Sequence, residues 1–258
     1  MIRDKLMKPD AAARNGFRLR GVGEMARIEA FSDAVFAFAV TLLIVSLEVP
    51  KTFTELTEMM RGFIAFAVTF ALLFQVWVEH YKYFRRYGLQ DNFTVWVSGL
   101  LLFVVLFYVY PLKFLWTLTV NAFMGHMDVV VEGGRTEPMI EQAQVPLAFA
   151  IFGLGFAAAF FIFVLLYIHA YRRRRELDLN EVELHDTREK IQEHGINTTV
   201  GVLAAAIALA SPPGFNYWMI VPYWLVGPVQ AAHGMMMGRR RRRLMKSVDD
   251  MEAKPEAA

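Results

Sequence analysis

The 258-residue chain is 56% hydrophobic and 14% aromatic, with its apolar residues in long blocks; this suits an integral membrane protein rather than a soluble core. The formal net charge of +2 excludes little, but the 27 Lys and Arg are concentrated in particular connecting segments. The absence of cysteine excludes disulfides, thiolate metal sites and thiol nucleophiles, and leaves the compartment open.

Residues 1–26 carry Arg3, Lys5, Lys8, Arg14, Arg18 and Arg20 without sustained periodicity, and read as a cytoplasmic leader. No cleavable signal sequence is expected, because the first apolar block is too long for the hydrophobic core of one. That block, 27–50, is apolar from 30 to 47 apart from Ser32, Asp33, Thr41 and Ser46, close to the roughly 20 residues of a membrane-crossing helix. A mixed-charge loop follows at 51–58, with Thr54 as the expected helix cap. The second span, 59–78, contains Gln75 and leads into a basic segment of Lys82, Arg85 and Arg86. The third, 93–120, has Pro111 and Lys113 toward its outer end, where a kink is tolerated and a lysine can snorkel.

Residues 121–144 hold Asp128, Glu132, Glu137 and Glu141 against Arg135, with a turn expected at Gly133 and Gly134, and form an acidic outer loop. The fourth span, 145–171, is rich in Ala, Gly and Phe, a composition for close helix packing. Four arginines at 172–175 precede a polar stretch, 176–193, expected as a cytoplasmic helical connector. The fifth span, 197–210, is short and Ala-rich, and Pro212, Pro213 and Gly214 end it. The sixth, 217–237, carries Trp218 and Trp224 toward one end and Pro222 and Pro228 within. Residues 238–258 open with five arginines at 239–243 and are expected as a basic, disordered tail.

Basic and acidic connections alternate along this order. Under the positive-inside rule, the pattern predicts an all-α integral membrane protein, with six transmembrane helices per subunit across 27–237 and both termini cytoplasmic. Omitting the short fifth span would put the run at 239–243 on the outside.

At about 100° per residue, Phe31, Ala34, Phe38, Thr41, Leu42, Val45 and Val49 gather within roughly 120° of the first helix, and Asp33 points well away from them. A carboxylate inside a membrane helix is costly unless it is paired. Arg27, Trp77 and His80 are candidate partners, since the end of the second span returns to the depth of Asp33. A structural acid is favoured over an ion or proton site. Trp77 alone is equally an interfacial belt residue. By periodicity alone, the apolar stripe faces lipid or other helices. Glu79, Arg61 and Lys113 read as interfacial charges.

The string Arg27, Phe31-Ser32-Asp33, Ala37, Thr41-Leu42-Leu43 and Leu47 resembles the signature RxxxFSDxxxAxxxTLL of the TMEM175 family, lysosomal and prokaryotic potassium channels without a glycine-rich filter. The resemblance implies that the first helix lines the conduction path. Phe38 would then form the first ring, Thr41 a hydroxyl layer, and Leu42 and Val45 the next constrictions. It also implies a network of Arg27, Phe31, Ser32 and Asp33 with Trp77 and His80 of the WVEH segment. Phe38 departs from the usual aliphatic residue, which puts potassium selectivity in question. One FSD element per chain implies a homotetramer in the plasma membrane, with monovalent cations and lipid as partners.

No cofactor beyond permeant potassium and no nucleic acid are expected; the arginine runs beside membrane spans set topology and meet anionic headgroups. The histidines at 126, 169, 185, 194 and 233 show no metal-ligand spacing, and no nucleophile or acid–base pair marks an enzyme. A proton-coupled transporter using Asp33 and a non-conducting membrane scaffold are the alternatives.

Overall fold

The computed structural model describes residues 17–21, 27–45, 50–124, 129–132, 135–214 and 217–252. Most of the leader, the end of the first span at 46–49, the two glycines at 133 and 134, and residues beyond 252 lie outside the described residues. The helices are α1 (Arg27–Val45), α2 (Phe53–Tyr87), α3 (Asn92–Met124), α4 (Val145–Arg172), α5 (Glu181–Ala210) and α6 (Val221–Glu252). Between α3 and α4, β1 (Val129–Glu132) pairs antiparallel with β2 (Arg135–Pro138). Among the described residues, α1 to α5 are long and apolar enough to cross a membrane.

Local chemistry sets the helix ends. Thr52, in extended conformation, accepts a hydrogen bond from the Glu55 amide at 3.1 Å, and the Glu55 carboxylate accepts one from the Lys51 amide at 2.6 Å. The cap therefore falls on Thr52 rather than Thr54, because a reciprocal pair at this spacing satisfies two amides at once. At the other end of α2, Gly88 adopts a left-handed conformation (φ 61°) and donates to the Phe84 carbonyl at 2.8 Å. A side-chain carbon there would also approach the Arg20 carbonyl to 3.2 Å, so glycine serves both the turn and the docked leader. Asp91 accepts from the amide and hydroxyl of Thr94 at the start of α3.

α4 and α5 pack backbone to backbone. A side-chain carbon on Gly153 would lie 2.6 Å from the Gly201 carbonyl oxygen, and one on Gly201 would lie 2.7 Å from that of Gly153. The flanking Ala150, Ala157, Ala204, Ala205 and Ala208 are buried in this small-residue seam. Toward the basic end the core turns aromatic: Tyr83, Tyr87, Phe163 and Tyr167 are fully buried, and the Tyr87 and Thr187 hydroxyls meet at 2.8 Å.

Two boundaries differ from the sequence reading. The polar stretch expected as a separate connector and the short fifth span are one continuous helix, α5. An Asn180/Glu183 capping box starts it, and nothing in 181–210 breaks it. α6 runs on through the arginine run at 239–243 to Glu252, where sequence places a disordered tail. It is α6, not α5, that falls short of the apolarity of a membrane span, because Gln230 and His233 are built into it. Both face α5. Gln230 donates to the Glu193 carbonyl at 2.9 Å and to Asn197 Oδ1 at 2.8 Å, and His233 pairs with Gln192 at 2.9 Å.

Candidate functional site: the first helix and its acid

α1 has 19 residues and rises about 28 Å, close to the hydrocarbon thickness. Ser32, Phe36, Ala39 and Leu43, at helical spacing, are buried against α2 and α3. The opposite face is uncovered by its own chain: Phe31 is 59% exposed, Phe38 56% and Val45 76%, with Thr41 also exposed and Leu42 at the edge. The Thr41 hydroxyl donates back to the carbonyls of Ala37 and Phe38 at 3.0 and 2.8 Å, which satisfies its proton within the helix and leaves its oxygen on the bare face.

Asp33 lies between the two faces, half-buried. Trp77 Nε1 of α2 donates to its Oδ1 at 2.7 Å, which ties the two helices together at the depth of the acid. The rest of the expected network is arranged differently. His80 is buried but packs, tilted, between the rings of Phe36 and Phe84, at 5.9 and 4.8 Å between ring centroids, and its Nε2 has no hydrogen-bond partner among the described residues. The reason is geometric. His80 lies one turn beyond Trp77 on α2, and the Phe36 ring of α1 packs against it. Arg27 is exposed and forms no ion pair with Asp33 among the described residues. Ser32 is fully buried and donates to the Ile28 carbonyl at 2.7 Å, within its own helix.

Trp77 also belongs to a ladder of rings along α2. Phe63, Phe66, Phe70, Phe74, Trp77 and Tyr81 follow one another at 5.3 to 6.3 Å, and the Arg85 guanidinium lies over Tyr81 at 5.8 Å. The ladder locks the indole in place, so the bond to Asp33 is made by a side chain with little freedom to leave.

Sequence reasoning did not single out the polar clamp at the basic end. Glu183 is fully buried and accepts from the Arg18 amide at 2.7 Å, the Arg20 guanidinium at 3.1 and 2.8 Å, the Arg18 guanidinium at 3.3 Å and the Asn180 amide at 3.0 Å. The Arg20 Nε donates to the Leu177 carbonyl at 2.7 Å, and the Gly21 amide donates to that of Arg85 at 3.2 Å. The leader just before α1 is thereby fastened to α5 and α2. Glu79, expected at the interface with water, is instead buried, 2.8 Å from Lys82 and 3.3 Å from Lys190 of α5. Asp91 joins the α2–α3 turn to α4 through His169 at 2.7 Å and Arg173 at 3.2 Å. Burial pushes its carboxyl up, but the hydrogen bonds from Thr94 and His169 outweigh that and hold it below the usual range. The Asn-x-x-Glu capping box at 180–183 was the one signal in the sequence that could have pointed to Glu183.

An all-helical, multi-pass membrane protein whose first helix leaves an apolar face bare and turns its acid onto its own second helix is the class that the fold and this site define. The family profile described as the endosomal/lysosomal potassium channel TMEM175 matches residues 27–108, which spans α1, α2 and the first half of α3. A protein of Marivirga tractuosa named a potassium channel is 37% identical over 233 residues, covering 89% of this chain and 94% of its own length. A potassium channel of Chamaesiphon minutus is 35% identical over 96 residues, 34% of this chain and 47% of the relative. Among solved structures, a threonine-to-alanine variant of the potassium channel MtTMEM175, bound to a nanobody fusion, matches with a TM-score of 0.71 and 36% identity over 86% of this chain and 97% of that one. The chain belongs to the TMEM175 family. Members with these names are ion channels, not enzymes.

Proposed function

We propose that this chain is the subunit of a potassium-preferring cation channel of the plasma membrane, in which four copies of α1 surround the ion path. The observation that carries this reading is the division of α1 into two faces. Phe31, Phe38, Thr41 and Val45 are left bare by the chain itself, while Asp33 is held sideways by Trp77. A ring of Phe38 with Leu42 and Val45 beyond it would narrow the path and gate it by dewetting, with Thr41 oxygens between. Relatives named potassium channels, matched over nearly their full length, support the choice of ion.

Six spans with both termini cytoplasmic fit the contacts. α6 pairs with α5 head to tail, from Gln230 at Asn197 to Arg241 at Asp186, so it crosses back beside α5. The leader, the end of α2, the start of α5 and the end of α6 meet at one pole with Arg85, Arg86 and the runs at 172–175 and 239–243, as the positive-inside rule requires. Flux in liposomes tests the reading. Phe38→Ala and Leu42→Ala raise potassium permeation severalfold over wild type if these side chains form the constriction. Unchanged flux in both variants removes α1 from the path.

A further inference from the structure

At the basic pole, away from α1, the first third of α5 gathers His185, Asp186 and Glu189. At one, three and four residues apart they fall within about 100° of the helix. One ligand atom from each lies within 4.8 Å of the others. The His185 side chain is nine-tenths buried, and neither ring nitrogen has a hydrogen-bond partner among the described residues. Its Nδ1 stands 3.5 Å from Asp186 Oδ1, at the outer limit of hydrogen-bond range. An imidazole buried with both nitrogens unsatisfied is costly unless something else occupies the site. Asp186 and Glu189 also line a cavity of about 260 Å³ together with Phe17, Arg86, Lys190 and Arg241, which gives a small ion room beside the carboxylates.

We propose that His185, Asp186 and Glu189 bind a divalent transition-metal ion of the zinc class. One imidazole and two carboxylates are the donor set of zinc, cobalt or nickel, whereas magnesium and calcium favour all-oxygen shells. The neighbouring cations set a direction for the test. Arg241 Nε donates to Asp186 Oδ1 at 2.8 Å and draws charge from a ligand, so it opposes the metal. Binding would tighten one turn of α5 and weaken its tie to α6. The site is separate from α1 and does not depend on the conduction reading.

The full-length protein in detergent, stripped of metal with a chelator, is titrated with Co²⁺ and followed by its visible absorption. One Co²⁺ per chain, displaced by Zn²⁺, is the expected result. His185→Gln weakens binding at least tenfold, and Arg241→Ala tightens it. Glu189→Gln, at a half-buried position, gives the same loss and serves if His185→Gln does not fold. No Co²⁺ bound to wild type, or unchanged affinity in whichever of His185→Gln and Glu189→Gln fold, overturns the proposal.

Discussion

Two acids, one fully buried and one half-buried, show how differently this molecule treats its two halves. Glu183, at the basic pole, draws donors from Arg18, Arg20 and Asn180 and binds the leader to α5. Asp33, in α1, has one hydrogen bond among the described residues, from Trp77. The first is a fastener in a polar network that water and arginines can complete. The second stands where extra donors are scarce, so a single indole, held in an aromatic ladder, fixes the rotation of α1. The pole is held by many donors, whereas α1 is tied at Asp33 by a single one among the described residues, and its opposite face is exposed.

That contrast predicts a ranking. Glu183→Gln alters the fully buried acceptor of five hydrogen bonds and leaves the partly exposed Arg18 and Arg20 guanidinium groups short of their charge partner; it is expected to cost about 3–5 kcal/mol of stability, read as thermal unfolding in detergent. Trp77→Phe removes the one donor to Asp33 among the described residues, and is expected to cost about 1.5–3 kcal/mol. Its diagnostic effect is on potassium flux, because α1 becomes free to rotate; the Glu183 variant that still folds keeps wild-type flux. Equal stability losses in the two variants would break the comparison.

Asp91 gives the smallest effect. Its carboxyl is held below the ordinary value, so its contribution is full above the unfolded carboxylate value of about 4 and is lost as pH falls through the folded value. The group is partly solvated, and Asp91→Asn is expected to change stability at neutral pH by under about 1 kcal/mol while removing this part of the acid dependence.

The multi-pass, helical character of the chain was legible because long apolar blocks follow directly from bilayer physics. So was the separation of Asp33 from Phe38, which needs only a helical period. Boundaries were less legible. The polar start of α5 and the arginines of α6 continue helices that hydropathy alone would stop, since capping at Asn180 and contacts such as Arg241 to Asp186 sustain helix outside the apolar core. His80 was grouped with the acid because the end of the second span returns to the depth of Asp33 and because the family resemblance implies it. Its ring packs among Phe36 and Phe84 instead, a contact that no sequence pattern reports. Glu183 escaped notice because its arginine partners lie more than 160 residues away in the chain.

The native absence of cysteine allows the most direct test of the α1 assignment. Single substitutions Phe38→Cys, Thr41→Cys, Leu42→Cys and Val45→Cys, with Phe36→Cys and Leu43→Cys on the packed face, are reconstituted in liposomes and treated with a charged, membrane-impermeant thiol reagent while potassium flux is recorded. Block at 38, 41, 42 and 45 with none at 36 and 43 is the predicted result; indifference at 38 and 42 would contradict the account.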